Sequence, residues 1–356
     1  MRNEIRQGDT MLLSVVIPVF NEEESLPLLF GILPPILSRI GYDYELVFVD
    51  DGSSDGTCQQ LREAAASDPR VKVVEFSRNF GHQAAITAGL DFATGDAVVV
   101  MDADLQDPPD LLPEMVRQFE QGFDVVSAQR VSREGEGYFK RGTAALFYSL
   151  MRNAVDKRLP AQVGDFRLFS RRAVEALRGF REQHRFMRGL VAWLGLNEAI
   201  IPFHRAPRVA GTTKYPLWKM VQFAWIAISS FSALPLKLSL YGGFAITGCS
   251  FVYSLFVIYE TLVLKTTAQG WSSLVCLQLF FNGAILISVG LIGDYVGRIY
   301  DESKGRPLYV LGNALNLGPR NQLPDRAVWL GHYQEFGTNP TLATLPFPPK
   351  RRSSTK

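Results

Sequence analysis

From Leu238 to Tyr259 the chain reads LSLYGGFAITGCSFVYSLFVIY, without one charged side chain. A second neutral stretch, SLVCLQLFFNGAILISVGLIG, covers 273–293. At about 1.5 Å per helical residue, each reaches across a hydrocarbon core about 30 Å thick. The connection KTTAQGW is short, so the pair predicts a transmembrane hairpin over 238–297, with spans at about 238–264 and 272–293. Lys214, Lys219 and Lys237 precede it, Arg298, Lys304 and Arg306 follow it, and the connection carries Lys265 alone. The positive-inside rule then places both chain ends in the cytoplasm, the expectation for a two-span integral membrane protein. Two buried helices of a soluble domain are the alternative, but long neutral segments with basic flanks rarely arise that way. Upstream, 215–237 (YPLWKMVQFAWIAISSFSALPLK) sets Trp218, Phe223, Trp225 and Phe231 between Lys219 and Lys237. It reads as a juxtamembrane amphipathic helix at headgroup level, or else as a core helix of the preceding domain.

Ahead of the hairpin the character changes. Short apolar runs, LLSVVIPVF (12–20), YELVFVD (44–50), VKVVEF (71–76), DAVVVMD (96–102) and DVVSAQ (124–129), alternate with helix-like segments such as TCQQLREAAA and HQAAITAGLDFA. Continuous β-branched strands between helices predict an α/β fold with a mostly parallel sheet covered on both faces, whose ligands collect beyond the carboxyl edges. Lys+Arg at 37 against Asp+Glu at 35 leaves a net charge of +2, which removes the electrostatic case for a nucleic-acid binder. Three cysteines, Cys58, Cys249 and Cys276, form no CxxC pair, so neither a disulfide scaffold nor a structural zinc site is expected. Residues 1–11 are polar and flexible, with no run of signal-peptide type. The end, PFPPKRRSSTK, is basic, a solvated tail or one that touches anionic lipid.

Acidic residues gather where the runs stop. The first ends in Pro18-Val19-Phe20-Asn21-Glu22-Glu23, where Asn21 would cap the next helix with carboxylates in its first turn. The second ends in VDDGSSDGT (49–57). Its two carboxylates suit nucleobase N–H and ribose hydroxyl groups, or an Asx turn with Asp55 as helix cap. The fourth ends in MDADLQDPP (101–109), placing Asp102 and Asp104 at the same edge. Hard oxygen ligands beside the amide of Gln106 suit Mg²⁺ or Mn²⁺ shared with a diphosphate.

PVFNEEE, VDDGSSDGT, SRNFGHQAA and MDADLQDPP together resemble the family 2 glycosyltransferases with the GT-A fold. AQRVSREGEG, GDFRLFSRRAV, RGLVAWLG, RVAGTTKYPLWKM and the hairpin narrow the likeness to polyprenyl-phosphate glycosyltransferases, including bactoprenol glucosyltransferases and dolichol-phosphate mannose synthases. The likeness covers about 11–305 and implies a GT-A (Rossmann-like) catalytic domain at 12–214, with 298–356 left as a largely disordered cytoplasmic tail. It implies that Pro18, Glu22 and Asp50 surround the nucleobase, with Asp102 near the ribose, Asp104 on the metal and Gln106 on the metal or donor. Arg78 and Asn79 fall in a segment near the nucleotide, or form a loop-to-helix cap. His82 reads as a packing or orienting residue. Arg130, Arg133, Lys140 and Arg141 would receive an acceptor phosphate, with Arg167, Arg208 and Lys214 meeting lipid phosphate or diphosphate.

Asp165 in Gly164-Asp165-Phe166-Arg167 has three readings: it orients acceptor, Arg167 or donor hydroxyls; it acts as a base; or it forms a structural pair with an arginine. A phosphate monoester is already anionic near neutrality, its second pKa being about 6, so base catalysis is the secondary role. The resemblance therefore implies inverting hexose transfer from a nucleotide sugar, favoured as UDP-glucose with GDP-mannose second, to polyprenyl phosphate. Asp104, Asp165 and Arg130 would be catalytic. Two helices are too few to enclose a polar conduit unaided, so flipping the product needs another protein; separately, the hairpin offers a surface for homo-oligomerisation. Processive synthases usually carry Q-x-x-R-W, whereas Gln183-His184-Arg185-Phe186 is shorter and lacks tryptophan. A non-catalytic scaffold would have no need of intact Asp50, Asp102, Asp104 and Asp165, and a transporter would need several hairpins together.

Overall fold

Each of the five apolar runs forms a strand. The computed structural model describes residues 11–131, 163–203, 234–259, 263, 270–317 and 328–329. In chain order these give β1 (Leu12–Val19), α1 (Leu26–Ile40), β2 (Asp43–Asp50), α2 (Thr57–Ser67), β3 (Val71–Phe76) and α3 (His82–Phe92). There follow β4 (Ala97–Val100), α4 (Leu112–Glu120), β5 (Val125–Arg130), β6 (Val163–Ser170), α5 (Arg171–Gly179), α6 (Met187–Leu194) and β7 (Glu198–Phe203). The last elements are α7 (Leu234–Tyr259), α8 (Trp271–Ser303), β8 (Val310–Leu315) and β9 (Val328–Trp329).

The strands make one sheet in the order β7-β5-β6-β4-β1-β2-β3-β8-β9. Its centre, β3-β2-β1-β4, is parallel, whereas β6 runs antiparallel to both β4 and β5. Period-2 alternation divides β1 between two cores. Leu13, Val15 and Ile17 face α1 and α4, and Val16 faces α3 with Val47, Val49 and Val98. Both faces are covered, which is why these strands read as unbroken apolar runs. Arg178 of α5 donates to the carbonyls of Leu90, Asp91 and Ala93 at 2.8–3.0 Å, supplying partners for the open carbonyls at the end of α3.

Two expectations need correction. Asn21 does not cap α1, which starts later, after Ser25, and has no acidic residue in its first turn. Asn21 instead sits at φ +56°, and its Oδ1 accepts the Ser54 N–H at 2.8 Å. Glu23 Oε2 likewise accepts the Gly56 N–H at 2.9 Å, so this loop is tied across to the β2–α2 loop before a helix can form. The second correction concerns the tail. Residues 298–303 complete α8, and β8 pairs antiparallel with β3, the Tyr309 ring before it being buried. Apolar residues at 309, 311, 314 and 315 find core there, so that part of 298–356 is structural.

α7 and α8 lie side by side, with the Ser239 hydroxyl donating to Ser288 at 2.7 Å. Within α8, Phe280–Ser303 is long and apolar enough to cross a membrane by length and composition, and none of its most apolar window is buried in the protein. It is the one such helix among the described residues. The juxtamembrane residues 215–233 lie outside the described residues.

Gly89 tests how closely α3 lies on the sheet, because a Cβ there would overlap Val16 Cγ1, a stiff and fully buried side chain. Alanine favours helix by about 1 kcal/mol over glycine, whereas overpacking costs about 1–3 kcal/mol. Gly89→Ala is therefore expected to lower the thermal unfolding midpoint of the purified protein; a raised midpoint would show that the contact is loose.

Candidate functional site

Register brings the acidic residues to one rim. Val19 of β1 pairs with Asp50 of β2, and Val16 with Val100 of β4, so the ends of all three strands point the same way. Antiparallel β6 sets Arg167 opposite Val100, which carries Asp165 outward toward the same rim, and β5 ends there in Arg130. Asp104 and Asp50 thus share one edge of the sheet.

Asp50 is buried, and its Oδ1 accepts the Ser53 N–H at 3.1 Å. Burial raises its pKa against the opposing Ser53 hydrogen bonds. Pro18, also buried, lies beside Val49. Glu22 is partly exposed and accepts the Ser25 hydroxyl at 2.8 Å. Asp51 turns the other way, accepting the N–H groups of Phe80 at 2.6 Å and Gly81 at 2.9 Å. It holds the loop that opens α3 and is a scaffold rather than a ligand group. Gly52 has φ +74°, and a Cβ there would stand 2.6 Å from the Arg78 carbonyl carbon, so only glycine lets the two loops meet. Arg78 and Asn79 are exposed on that loop, the Arg78 guanidinium lying 4.0 Å over the Phe80 ring.

The β4 turn is strained to make its site. Leu105 has φ +56°, a left-handed conformation costing a non-glycine residue roughly 1–2 kcal/mol. The bend lets Asp104 Oδ1 accept the Gln106 N–H at 3.1 Å and Asp107 Oδ2 accept the Asp102 N–H at 3.2 Å. Asp107 is 2% exposed, and Arg130 approaches its other oxygen at 3.8 Å. Burial, with the neighbouring Asp102 charge, pushes Asp107 up to about 7 although Arg130 opposes the shift. Burial likewise raises Asp102 despite His82. A Cβ at Gly164 would come within 3.2 Å of the Arg130 guanidinium, so that glycine keeps room for the arginine. Gln106 is buried with its Oε1 unpartnered, and Asp104 is partly exposed. Two hard oxygens so placed fit a divalent cation that completes its shell with water and phosphate oxygens. No group of three or more His, Cys, Asp or Glu side chains among the described residues is arranged to hold a metal ion by itself.

Asp165 is paired with Arg188 of α6, which donates to its two oxygens at 3.2 and 3.3 Å. Burial works against the carboxylate, but Arg188 and His82 outweigh it and hold Asp165 well below the usual range. A carboxylate so firmly ionised is a poor general base. The His82 ring lies 3.6 Å from Asp165 and 3.7 Å from Asp102. Burial disfavours its charged form; the Asp165 hydrogen bond and both carboxylate charges prevail and raise its pKa.

The expected acceptor residue Arg167 is a correction. It is 2% exposed, donates to the Gly164 carbonyl at 3.2 Å and stands 3.8 Å from Glu198. β6 is an interior strand, so the guanidinium is enclosed and cannot receive a ligand from solution. Arg133, Lys140, Arg141, Arg208 and Lys214 lie outside the described residues. Arg188 and Asp107 are additions. Arg188 carries no distinctive signal in the sequence, because an arginine on a short helix without an acid of its own can equally be solvated.

The family described as Glycosyl transferase family 2 matches residues 14–178. "Uncharacterized glycosyltransferase YkcC" of Bacillus subtilis is 47% identical over 84% of this chain and 92% of its own length. "Uncharacterized glycosyltransferase sll0501" of Synechocystis is 44% identical over 86% and 97%. "Bactoprenol glucosyl transferase" of Shigella phage SfV is 41% identical over 85% and 99%.

Asp107 gives the site a measurable pH signature. Its folded pKa exceeds the unfolded value of about 3.9, so the native state holds a proton that the unfolded chain releases, and stability declines as pH climbs from about 4 to 7. In chelator, Asp107→Asn is expected to unfold at a higher temperature than wild type at pH 8 and at nearly the same temperature at pH 4. Equal midpoints at pH 8 would remove this assignment.

Proposed function

The chain belongs to glycosyl transferase family 2, and from that premise we propose that it transfers a hexose, with inversion, from a nucleotide sugar to polyprenyl phosphate at a membrane surface. The observation that carries the reading is the convergence of Asp50, Asp102, Asp104, Asp165 and Arg130 on one rim of the sheet. The favoured donor is UDP-glucose: the RNFGHQ and DFRLF segments resemble the bacterial glucosyl and aminoarabinosyl branch more than the mannose branch, and relatives carry the name bactoprenol glucosyl transferase. Pro18, Glu22 and Asp50 line the base pocket, with Arg78 and Asn79 at its mouth, and Asp102 faces the ribose. Asp104, with Gln106, holds Mg²⁺ or Mn²⁺. Bound there, the ion supplies positive charge to the departing diphosphate.

The remaining chemistry is positioning. An acceptor phosphate oxygen attacks the anomeric carbon, the bond from that carbon to the diphosphate oxygen breaks, and nucleoside diphosphate leaves with the electron pair. The nucleophile is already anionic, so no strong base is needed, in keeping with the low pKa of Asp165. Asp165, fixed by Arg188 and close to His82, orients substrate hydroxyls or the acceptor. Arg130 faces the incoming phosphate, joined by Arg133, Arg141, Arg208 and Lys214. The large apolar side chains left exposed on α7 and α8, Phe244, Phe251, Leu286 and Ile287 among them, support a lipid environment, because patches of this extent are rare against water. On this reading both helices span the inner membrane as a hairpin, the catalytic domain is cytoplasmic, and the hairpin serves as a surface for self-association.

The test incubates purified protein with undecaprenyl phosphate and labelled UDP-glucose or GDP-mannose, and follows label into the lipid phase. Label is expected from UDP-glucose, and Asp104→Asn is expected to abolish transfer, by 10²-fold or more on the scale of a lost electrostatic catalyst, while leaving the unfolding midpoint within a few degrees. Undiminished turnover in that variant would overturn the metal assignment, and label from GDP-mannose alone would overturn the donor.

A further inference from the structure

A second dense polar cluster, unused by the transfer chemistry, lies where α8 meets the catalytic domain. Glu302, in the last turn of α8, accepts the backbone N–H of Gln183 at 2.7 Å. The Gln183 side-chain amide donates to the Arg306 carbonyl at 2.6 Å, and His184 Nε2 stands 3.8 Å from Asp301. Just beyond, the Tyr309 ring is 4% exposed, stacks on Phe76 with centroids 5.2 Å apart, and donates its hydroxyl to Asp91 at 2.7 Å. Arg181 grips the same carboxylate through two hydrogen bonds of 2.7 and 2.8 Å. β8 then joins the sheet beside β3.

Both sides of this junction lead into the candidate site. Asp91 lies near the end of α3, the helix that begins with His82. The 181–184 segment runs directly into α6, whose Arg188 pairs with Asp165. A flexible tether would keep the domain near a membrane without any of these contacts. Here the buried Tyr309–Asp91 hydrogen bond and the charge-assisted Arg181–Asp91 pair fix an orientation, with the exposed Glu302 and Gln183 contacts added at the surface. Although Phe280–Ser303 passes as a span by length and composition, Asp294, Arg298, Asp301 and Glu302 hold its last ten residues out of hydrocarbon. The uncharged stretch therefore ends at Gly293, and α8 continues past it to Ser303. Those ten or so residues reach about 15 Å beyond that stretch as a straight helix.

We propose that 294–315 is a rigid strut in which Glu302 and Tyr309 are positioning residues, orienting the catalytic rim toward an acceptor phosphate held at a bilayer surface. This rests on the reading of α8 as membrane-spanning and of the acceptor as a prenyl phosphate. The strut contributes nothing to the chemical step, so it matters for a bilayer-held phosphate and not for the same phosphate free in solution.

The test compares two acceptors, undecaprenyl phosphate in liposomes containing the full-length protein and a short, water-soluble prenyl phosphate. Two variants are used, Glu302→Ala combined with Tyr309→Phe, and an insertion of seven helix-forming residues after Arg298, which adds about two turns while leaving the latch intact. For both, transfer to the bilayer acceptor is expected to fall about tenfold or more, while kcat and KM for the soluble acceptor stay within about twofold. Equal losses with both acceptors would mean a merely structural role and overturn the proposal, as would no loss with either. Failure of the wild-type protein to transfer to either acceptor would instead sink the functional reading, and the strut with it.

Discussion

Crowding like charges on one rim is the constraint around which this protein is built. Asp102, Asp104, Asp107 and Asp165 stand at neighbouring strand ends, and burial alone would drive Asp102, Asp107 and Asp165 toward their neutral forms. The fold answers by importing basic side chains from elsewhere in the chain. Arg188 comes from α6, His82 from the start of α3 and Arg130 from the end of β5. The compensation is uneven. Asp165, with an arginine on both its oxygens, is firmly anionic, whereas Asp107, with one distant guanidinium, drifts toward neutrality. Asp107 thus gains from any further positive charge nearby.

Glycine and strain place these groups. Gly52 lets the β2 and β3 loops touch, and Gly164 leaves space for Arg130. Leu105 accepts a left-handed backbone so that the β4 turn folds back on itself. Asp51 shows how closely scaffold and site are interleaved, since adjacent carboxylates at the end of one strand face opposite tasks.

The central strands and the acidic rim are legible in the sequence because a strand buried on both faces must be apolar, and its end is then visible as the first carboxylate. Asp50, Asp102 and Asp104 stand out for that reason. Arg167 misleads because its burial follows from β6 being an interior strand, and strand order is written in tertiary pairing rather than local periodicity. The same holds for Arg188, whose partner comes from another element, and for Asn21, whose partners lie across a neighbouring loop. β8 hides most completely. VLGNAL is short, and what it pairs with lies far away: Asn316, just after it, donates to the Val71 carbonyl across 245 residues.

That distant pairing has a consequence for how the protein is made. Until β8 arrives, the outer edge of β3 is an open ladder of peptide groups, the kind of edge that recruits other chains. The ribosome delivers 310–315 only after α7 and α8 have been synthesised. Cover for the β3 edge therefore comes only after both long helices are made, and a chain truncated within α7 or α8 leaves that edge unprotected.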